Sequence, residues 1–384
     1  MMLMKQIGHA YVRLALVLMN TLILVLVIEG VSAVIVASRP ANTLKADLEA
    51  FKSRMLGLSY YQTQDWADGY WSEHIQADNW VYAPYRLWQT RPFTGQYINV
   101  DEYGNRLTHA SDCAGDAYKI YVFGGSTLWG YGVPDWNTIP TGMQIALIED
   151  GVCVINFGEL GYSSTQSLIR LSQLIADRDI PDMVIFYDGT NDIAAAHRTS
   201  IAGNHFYYEA INSALSSQKF AQAEATLGQG LLNALTHSAT YRLIVGDPPK
   251  IEPNWALPPL DDPFINATAQ TYLNNIAMAT ALCEANGCVF HAFIQPVLPI
   301  SAREVNDEEQ RFLWEMPGGL NDLFLAVYPI WEAQSENLDY LTYLGNTLDT
   351  QTERVWIDFN HITAVGNLAI ANEIVAVIRP LIEK

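Results

Sequence analysis

Short apolar runs, each followed by a helix-sized segment, constrain this chain more than any other feature. "KIYVF" (119–123), "VCVIN" (152–156), "MVIFY" (183–187) and "VFHAFI" (289–294) are rich in β-branched and aromatic residues. Runs of that length suit strands buried on both faces. "VWIDF" (355–359) reads as a fifth. Helical segments lie between them. One opens at "SSTQ" (163–166), where Ser163 can cap and Gln166 can reach back, and it carries Leu168, Leu171 and Ile175 on one face. The last, about 363–383, has Val365, Leu368, Ile374 and Ile378 at helical spacing. Strands alternating with helices predict an α/β fold, a doubly wound parallel sheet of about five strands.

The remaining segments are additions to that sheet. Roughly 95 residues separate the third and fourth runs, far more than a crossover needs. Residues about 195–270 therefore read as an inserted helical cap that includes a Pro-rich loop, "GDPPKIEPNWALPPLDDP". A second insertion spans about 300–353. Residues 39–58 read as a polar helical stalk, and Ser59 to about Thr108 as an aromatic-dense extension. Those aromatics can stack on sugar rings or pack against a neighbouring core, and packing is the expectation. The domains expected are 1–38, 39–115 and 116–384.

Lys5 and Arg13 precede the apolar run "LALVLMNTLILVLVI", and no acidic residue occurs before Glu29. A helix from Val12 to Ile28 would be about 25 Å long, close to one hydrocarbon thickness. Its flanking cations put the rest of the chain on the extracytoplasmic side. A single-pass anchor is the expectation. The alternative is a cleaved signal peptide ending in "VSA" before Val34.

Composition narrows the function. The formal charge is −20, and no basic stripe is present, so nucleic acid is excluded as a partner. Cys113, Cys153, Cys283 and Cys288 show no zinc spacing. They allow three disulfide connectivities, with Cys283–Cys288 the nearest pair in sequence, and free thiols are the other reading.

Ligands of an open parallel sheet bind outside the carboxyl ends of its strands. Four polar loops fall there: Gly124-Gly125-Ser126-Thr127, "NFGELGYSS" from Asn156, Asp188-Gly189-Thr190-Asn191-Asp192, and Asp358-Phe359-Asn360-His361. Together they offer a hydroxyl, an imidazole, carboxylates, glycine N–H groups and an amide. Acyl transfer needs that inventory. Serine is a poor nucleophile until an imidazole takes its proton, a carboxylate orients the imidazole, and an oxyanion needs fixed donors. Phosphate cradling fits poorly, because neither Gly-Lys-Ser/Thr nor Gly-x-Gly-x-x-Gly is present.

"FGGST", "NFGELGY", "GTND" and "DFNH" resemble, in order, the four blocks of the SGNH (GDSL-type) serine hydrolases, over about 119–384. The first block departs mildly, with Gly-Gly-Ser-Thr where many members have Gly-Asp-Ser-Leu. This variant is similar to that of membrane-anchored or exported members. The resemblance implies a flavodoxin-like fold, Ser126 as nucleophile, His361 as base and Asp358 as its orienting carboxylate. It implies an oxyanion hole of Ser126 N–H, Gly161 N–H and the Asn191 amide, with Gly158 the competing glycine. No cofactor and no metal are implied.

The other polar residues read as structural. Asp192 should brace its own turn, Asp188 is ambiguous, His291 should be a sheet histidine, and His197 a surface or cap residue. Trp129 and Tyr162 flank the crevice as packing residues. The function expected is an esterase, with O-acetyl groups on a carbohydrate the leading substrate. Acyl transfer to a glycan, lipid or lysophospholipid ester hydrolysis, and non-catalytic carbohydrate binding are the alternatives.

Overall fold

The computed structural model describes residues 2–38, 42–111, 113, 115–223, 238–245 and 258–382. Before the sheet come α1 (Met2–Ser38), α2 (Asn42–Leu56), α3 (Ala67–Ala77) and two short hairpins, β1 (Trp80–Ala83) with β2 (Leu87–Thr90), and β3 (Phe93–Thr94) with β4 (Asn99–Val100). The sheet's chain then runs β5 (Tyr118–Gly124), α4 (Ser126–Trp129), α5 (Ile139–Ala146), β6 (Val152–Asn156), α6 (Ser164–Ala176), β7 (Met183–Asp188) and α7 (Thr190–Thr199). After α8 (Tyr208–Ala223) and α9 (Ala239–Val245) it continues as α10 (Asp262–Asn286), β8 (Val289–Ile294), α11 (Asp307–Trp314), α12 (Leu320–Ser335), β9 (Leu341–Tyr343) and α13 (Ala364–Ile382).

The described residues fall into two compact units. One holds residues up to Ala50 and those between Glu209 and Val245; the other holds Phe51–Tyr208 and the described residues from 258 onward. In the first unit, α1 contains an apolar stretch, Gly8–Val36, of mean hydropathy 2.5, long enough to cross a membrane. Its acidic residue, Glu29, accepts hydrogen bonds from the N–H groups of Ala239 and Thr240 and, at 2.7 Å, from the Thr240 hydroxyl. The carboxylate thus meets the unpaired donors at the start of α9. Most of the expected Pro-rich loop lies outside the described residues.

The second unit is a five-stranded parallel sheet in the order β6-β5-β7-β8-β9. Counted along the chain this is 2-1-3-4-5, the doubly wound order with its switch point beside β5. Alternate side chains of each strand enter different cores. Ile120, Val122, Val154 and Ile185 pack with Met143, Ile370 and Ile374 from α5 and α13. Tyr121, Phe123, Val184 and Phe186 pack with Leu171, Tyr272 and Ile276 from α6 and α10. Each such fully buried side chain contributes about 1.5–3 kcal/mol of transfer free energy. The α13 face is made by Ile370, Ile374 and Ile378; Leu368, read as part of it, is 55% exposed.

One strand expectation is corrected. Residues 355–359 do not join the sheet. They form a tight irregular hairpin with a single antiparallel bridge, Trp356 to Ile362. Ile357 N–H donates to His361 O at 2.9 Å, and Thr363 N–H to Val355 O at 2.9 Å. The fifth strand is β9, three residues within the stretch read as an insertion. Val355, Trp356 and Ile357 are buried as a strand would be. Burial in a loop and burial in a strand write the same apolar run.

The extension packs into the same unit. Tyr61, Trp66, Tyr70 and Trp71 meet edge to face, and Tyr70 and Trp71 are fully buried. Cys113 is disulfide-bonded to Cys153 in β6, whereas Cys283 and Cys288, the nearest pair in sequence, are free and buried.

Candidate active site

β5 delivers the chain through Gly124 and Gly125 to Ser126, the first residue of α4. A Cβ on Gly125 would lie 2.3 Å from Asn191 Nδ2, so only glycine lets that amide approach the serine loop. The hairpin at 355–363 presents the other two groups. Asp358 Oδ1 accepts from the N–H groups of Asn360, at 2.9 Å, and His361, at 2.8 Å, which holds both side chains on one turn. Asp358 Oδ2 then lies 2.7 Å from His361 Nδ1, and His361 Nε2 lies 2.7 Å from Ser126 Oγ. Burial pushes the Asp358 carboxyl up, but the His361 charge and the hydrogen bonds from His361 and Asn360 outweigh it, leaving the group below its ordinary value. The Tyr131 ring covers the imidazole, with centroids 4.2 Å apart.

A cavity of about 390 Å³ opens on these groups. Ser126, Gly161, Asn191, Asp358 and His361 line it, with Trp80, Leu160, Phe206, Leu320 and Phe359 among its apolar walls. Gly161 has φ +77°, a left-handed conformation that suits glycine. Gly158 does not line the cavity, and its N–H donates to Asn156 Oδ1 at 2.9 Å. The Asn191 amide is oriented by donating to Tyr162 O at 2.7 Å, which leaves its second N–H. Among the described residues, no cluster of His, Cys, Asp or Glu could hold a metal ion.

Sequence reasoning missed the supports of these loops. Glu159 is fully buried, and its carboxylate accepts from Thr90 N–H at 2.7 Å, Thr90 Oγ1 at 2.6 Å and Leu160 N–H at 2.9 Å. Trp88 Nε1 donates to Leu160 O at 2.8 Å, and the Tyr162 hydroxyl donates to Trp88 O. Hairpin β1–β2 therefore clamps the Gly161 loop. Arg106, 1% exposed, pairs with Asp135 at 2.8 Å and donates to the carbonyls of Gly130, at 2.6 Å, and Val133, at 2.8 Å. It closes the carboxyl end of the serine helix α4. No motif marks Glu159, Thr90 or Arg106, because their partners are remote in sequence.

The remaining candidates lie elsewhere. Trp129 and Tyr162 are buried and do not line the cavity. His291 Nε2 lies 2.9 Å from Thr342 Oγ1, and burial lowers its imidazole to about 4. His197 is buried instead of surface-exposed, with Nε2 2.9 Å from Gly318 O. Asp192 braces α6 and not its own turn alone: it accepts from Ser164 Oγ at 2.5 Å and from Ser164 N–H.

Asp188 and Asp192 form a buried carboxyl pair. Burial and then the Asp192 charge push Asp188 well above the usual range; burial brings Asp192 up to about 6 against its Ser164 hydrogen bonds. A carboxyl raised in the fold stabilises below its unfolded value and loses that contribution as pH rises through the folded one. Asp188→Asn is thus expected to raise Tm by about 2–4 °C near pH 8 and not below about pH 4, the ordinary carboxyl range, read by differential scanning calorimetry. An equal shift at both pH values would show that the pair takes up no proton on folding.

No family model matches the sequence, and no curated protein matches it. Solved structures do. A member of the lipolytic protein G-D-S-L family from Veillonella parvula DSM 2008 is 14% identical, with 68% of this chain and 98% of that chain covered and a TM-score of 0.36. The acetyl xylan esterase AlAXEase is 13% identical, with 68% and 99% covered and a TM-score of 0.38. The psychrotrophic esterase EstA from Pseudoalteromonas sp. is 13% identical, with 70% and 100% covered and a TM-score of 0.36. At these scores, any assignment of chemistry rests on the side chains of this chain alone.

Proposed function

We propose that this chain is a serine esterase of the SGNH type. The observation that carries the reading is the hydrogen-bonded series Ser126 Oγ, His361 Nε2, His361 Nδ1, Asp358 Oδ2, with both links at 2.7 Å. In this reading Asp358 holds the proton of the imidazole on Nδ1, so Nε2 accepts the Ser126 proton. Ser126 Oγ bonds to the ester carbonyl carbon, and the oxyanion accepts from Ser126 N–H, Gly161 N–H and Asn191 Nδ2. His361 returns the proton to the departing alcohol. Water, deprotonated by Nε2, then attacks the acyl-enzyme, and the acid leaves as Ser126 is restored.

An O-acetylated carbohydrate is the substrate proposed. Trp80 of the aromatic extension lines the cavity, an aromatic wall suited to a sugar face. The Cys113–Cys153 disulfide supports an oxidising, extracytoplasmic location, with α1 as the anchor. The test compares p-nitrophenyl acetate, p-nitrophenyl palmitate and O-acetylated xylan on the full chain in detergent. Acetate should be released from both acetyl substrates, and palmitate turned over poorly. Asn191→Ala should lower kcat on p-nitrophenyl acetate by about 10²–10³-fold with little change in KM. Palmitate preferred over acetate would overturn the substrate assignment, and an Asn191→Ala variant at full kcat would remove Asn191 from the oxyanion site.

A further inference from the structure

A second cavity, of about 850 Å³, shares no wall residue with the one at Ser126. Tyr121, Ile155 and Phe157 form its apolar side, and Arg170 reaches it from α6. Arg170 is 4% exposed, and its guanidinium stacks on the Phe157 ring at 4.7 Å. Nη2 donates to Asn105 Oδ1, but Nη1 is buried without an acceptor among the described residues. Arg86 enters from the β1–β2 turn. Its Nη2 donates to Gln89 Oε1 at 3.0 Å and it lies beside the Tyr162 hydroxyl, while Nε and Nη1 are buried without acceptors. Its two neighbours, Tyr85 and Leu87, have φ of +64° and +79°. Such conformations are costly for bulky side chains and cluster where a residue must be aimed.

Buried guanidinium nitrogens call for acceptors, and the rest of the wall says which kind. Asp101, Glu102, Asp177 and Asp179 also line the cavity, so carboxylates outnumber guanidiniums four to two. Asp101 is engaged by its own turn, accepting from Tyr103 N–H at 2.9 Å and Asn105 N–H at 2.8 Å, and Asp179 accepts from the Tyr121 hydroxyl at 2.5 Å. Glu102 and Asp177 are exposed at the wall. A multiply charged anion would satisfy the arginines but meet this carboxylate excess. A neutral polyol does better: each hydroxyl accepts from a guanidinium and donates to a carboxylate. Tyr103, 68% exposed, adds an aromatic face of the kind that covers the C–H side of a sugar ring.

We propose that this cavity binds a short neutral saccharide, held by Arg86, Arg170 and the exposed carboxylates, with Tyr103 against a ring. The proposal does not depend on the serine chemistry. Titration calorimetry on the full chain in detergent would use cellotetraose, xylotetraose and maltotetraose, with galacturonate and inorganic phosphate beside them. At least one neutral tetrasaccharide should bind. Arg86→Gln and Tyr103→Ala should each weaken it by about tenfold or more. Tyr103→Ala should keep wild-type turnover of p-nitrophenyl acetate, and Ser126→Ala should keep wild-type saccharide affinity. Tyr103→Ala alters an exposed side chain, so it tests the site even where Arg86→Gln disturbs the turn. No binding by any neutral tetrasaccharide would overturn the proposal. So would binding that neither variant weakens, or a clear preference for galacturonate or phosphate.

Discussion

Ser126→Ala is expected to lower kcat on p-nitrophenyl acetate by about 10⁴–10⁶-fold while the protein stays folded. The size follows from what is removed. Without Oγ no acyl-enzyme forms, and only the oxyanion donors and the binding cavity remain to assist water. The structural cost is small, because the hydroxyl makes one side-chain hydrogen bond, to His361 at 2.7 Å. Such a bond is worth about 0.5–1.5 kcal/mol. Steady-state kinetics beside a thermal melt separate the two effects. Equal rates in the variant and the wild type would show that Ser126 is not the nucleophile, whatever the rest of the cavity does.

Asp358→Asn is expected to cost about 10⁴-fold in kcat through the tautomer of His361. The variant's Oδ1 can still accept from Asn360 N–H and His361 N–H, so the turn should hold. Its Nδ2, however, would face Nδ1 as a second donor. The imidazole then places its proton on Nε2, pointing at Ser126 Oγ, and cannot act as base. Stability has its own pH signature. A carboxyl held below its ordinary value contributes stability above its unfolded pKa, about 3.9, and loses it as pH falls through the folded value. The Tm deficit of Asp358→Asn should therefore be full near neutrality and shrink below about pH 4. A kcat within tenfold of wild type, or a Tm deficit constant across that range, would count against the orienting role.

Some of this architecture was legible in the sequence for local reasons. β5, β6, β7 and β8 follow from apolar runs whose strand character depends mainly on their own side chains. Gln166 Oε1 accepts from Ser163 N–H at 3.3 Å, a contact written in four successive residues. The Asp358–His361 offset is likewise local, since one tight turn brings both side chains to the same side. The run 355–359 shows where local pattern stops. Its apolar residues are buried, yet nothing within them distinguishes a strand from a loop pinned over the sheet.

By itself, the sequence determined that parallel strands would carry their polar loops to one edge, because in a parallel sheet all carboxyl ends share an edge. Ser126, Gly161 and Asn191 share that edge because they follow β5, β6 and β7, whereas Asp358 and His361 reach the same place on a hairpin outside the sheet. Only the tertiary structure decided the contacts between segments far apart in the chain: Glu159 with Thr90, Arg106 with Gly130, Cys113 with Cys153, and the Asn191 amide close against Gly125. Those pairings depend on how the whole chain closes, and loop closure leaves no periodicity for a local reading to detect. The fifth strand was decided in the same way, since β9 is three residues long and becomes a strand only because the edge of β8 is there to pair with it.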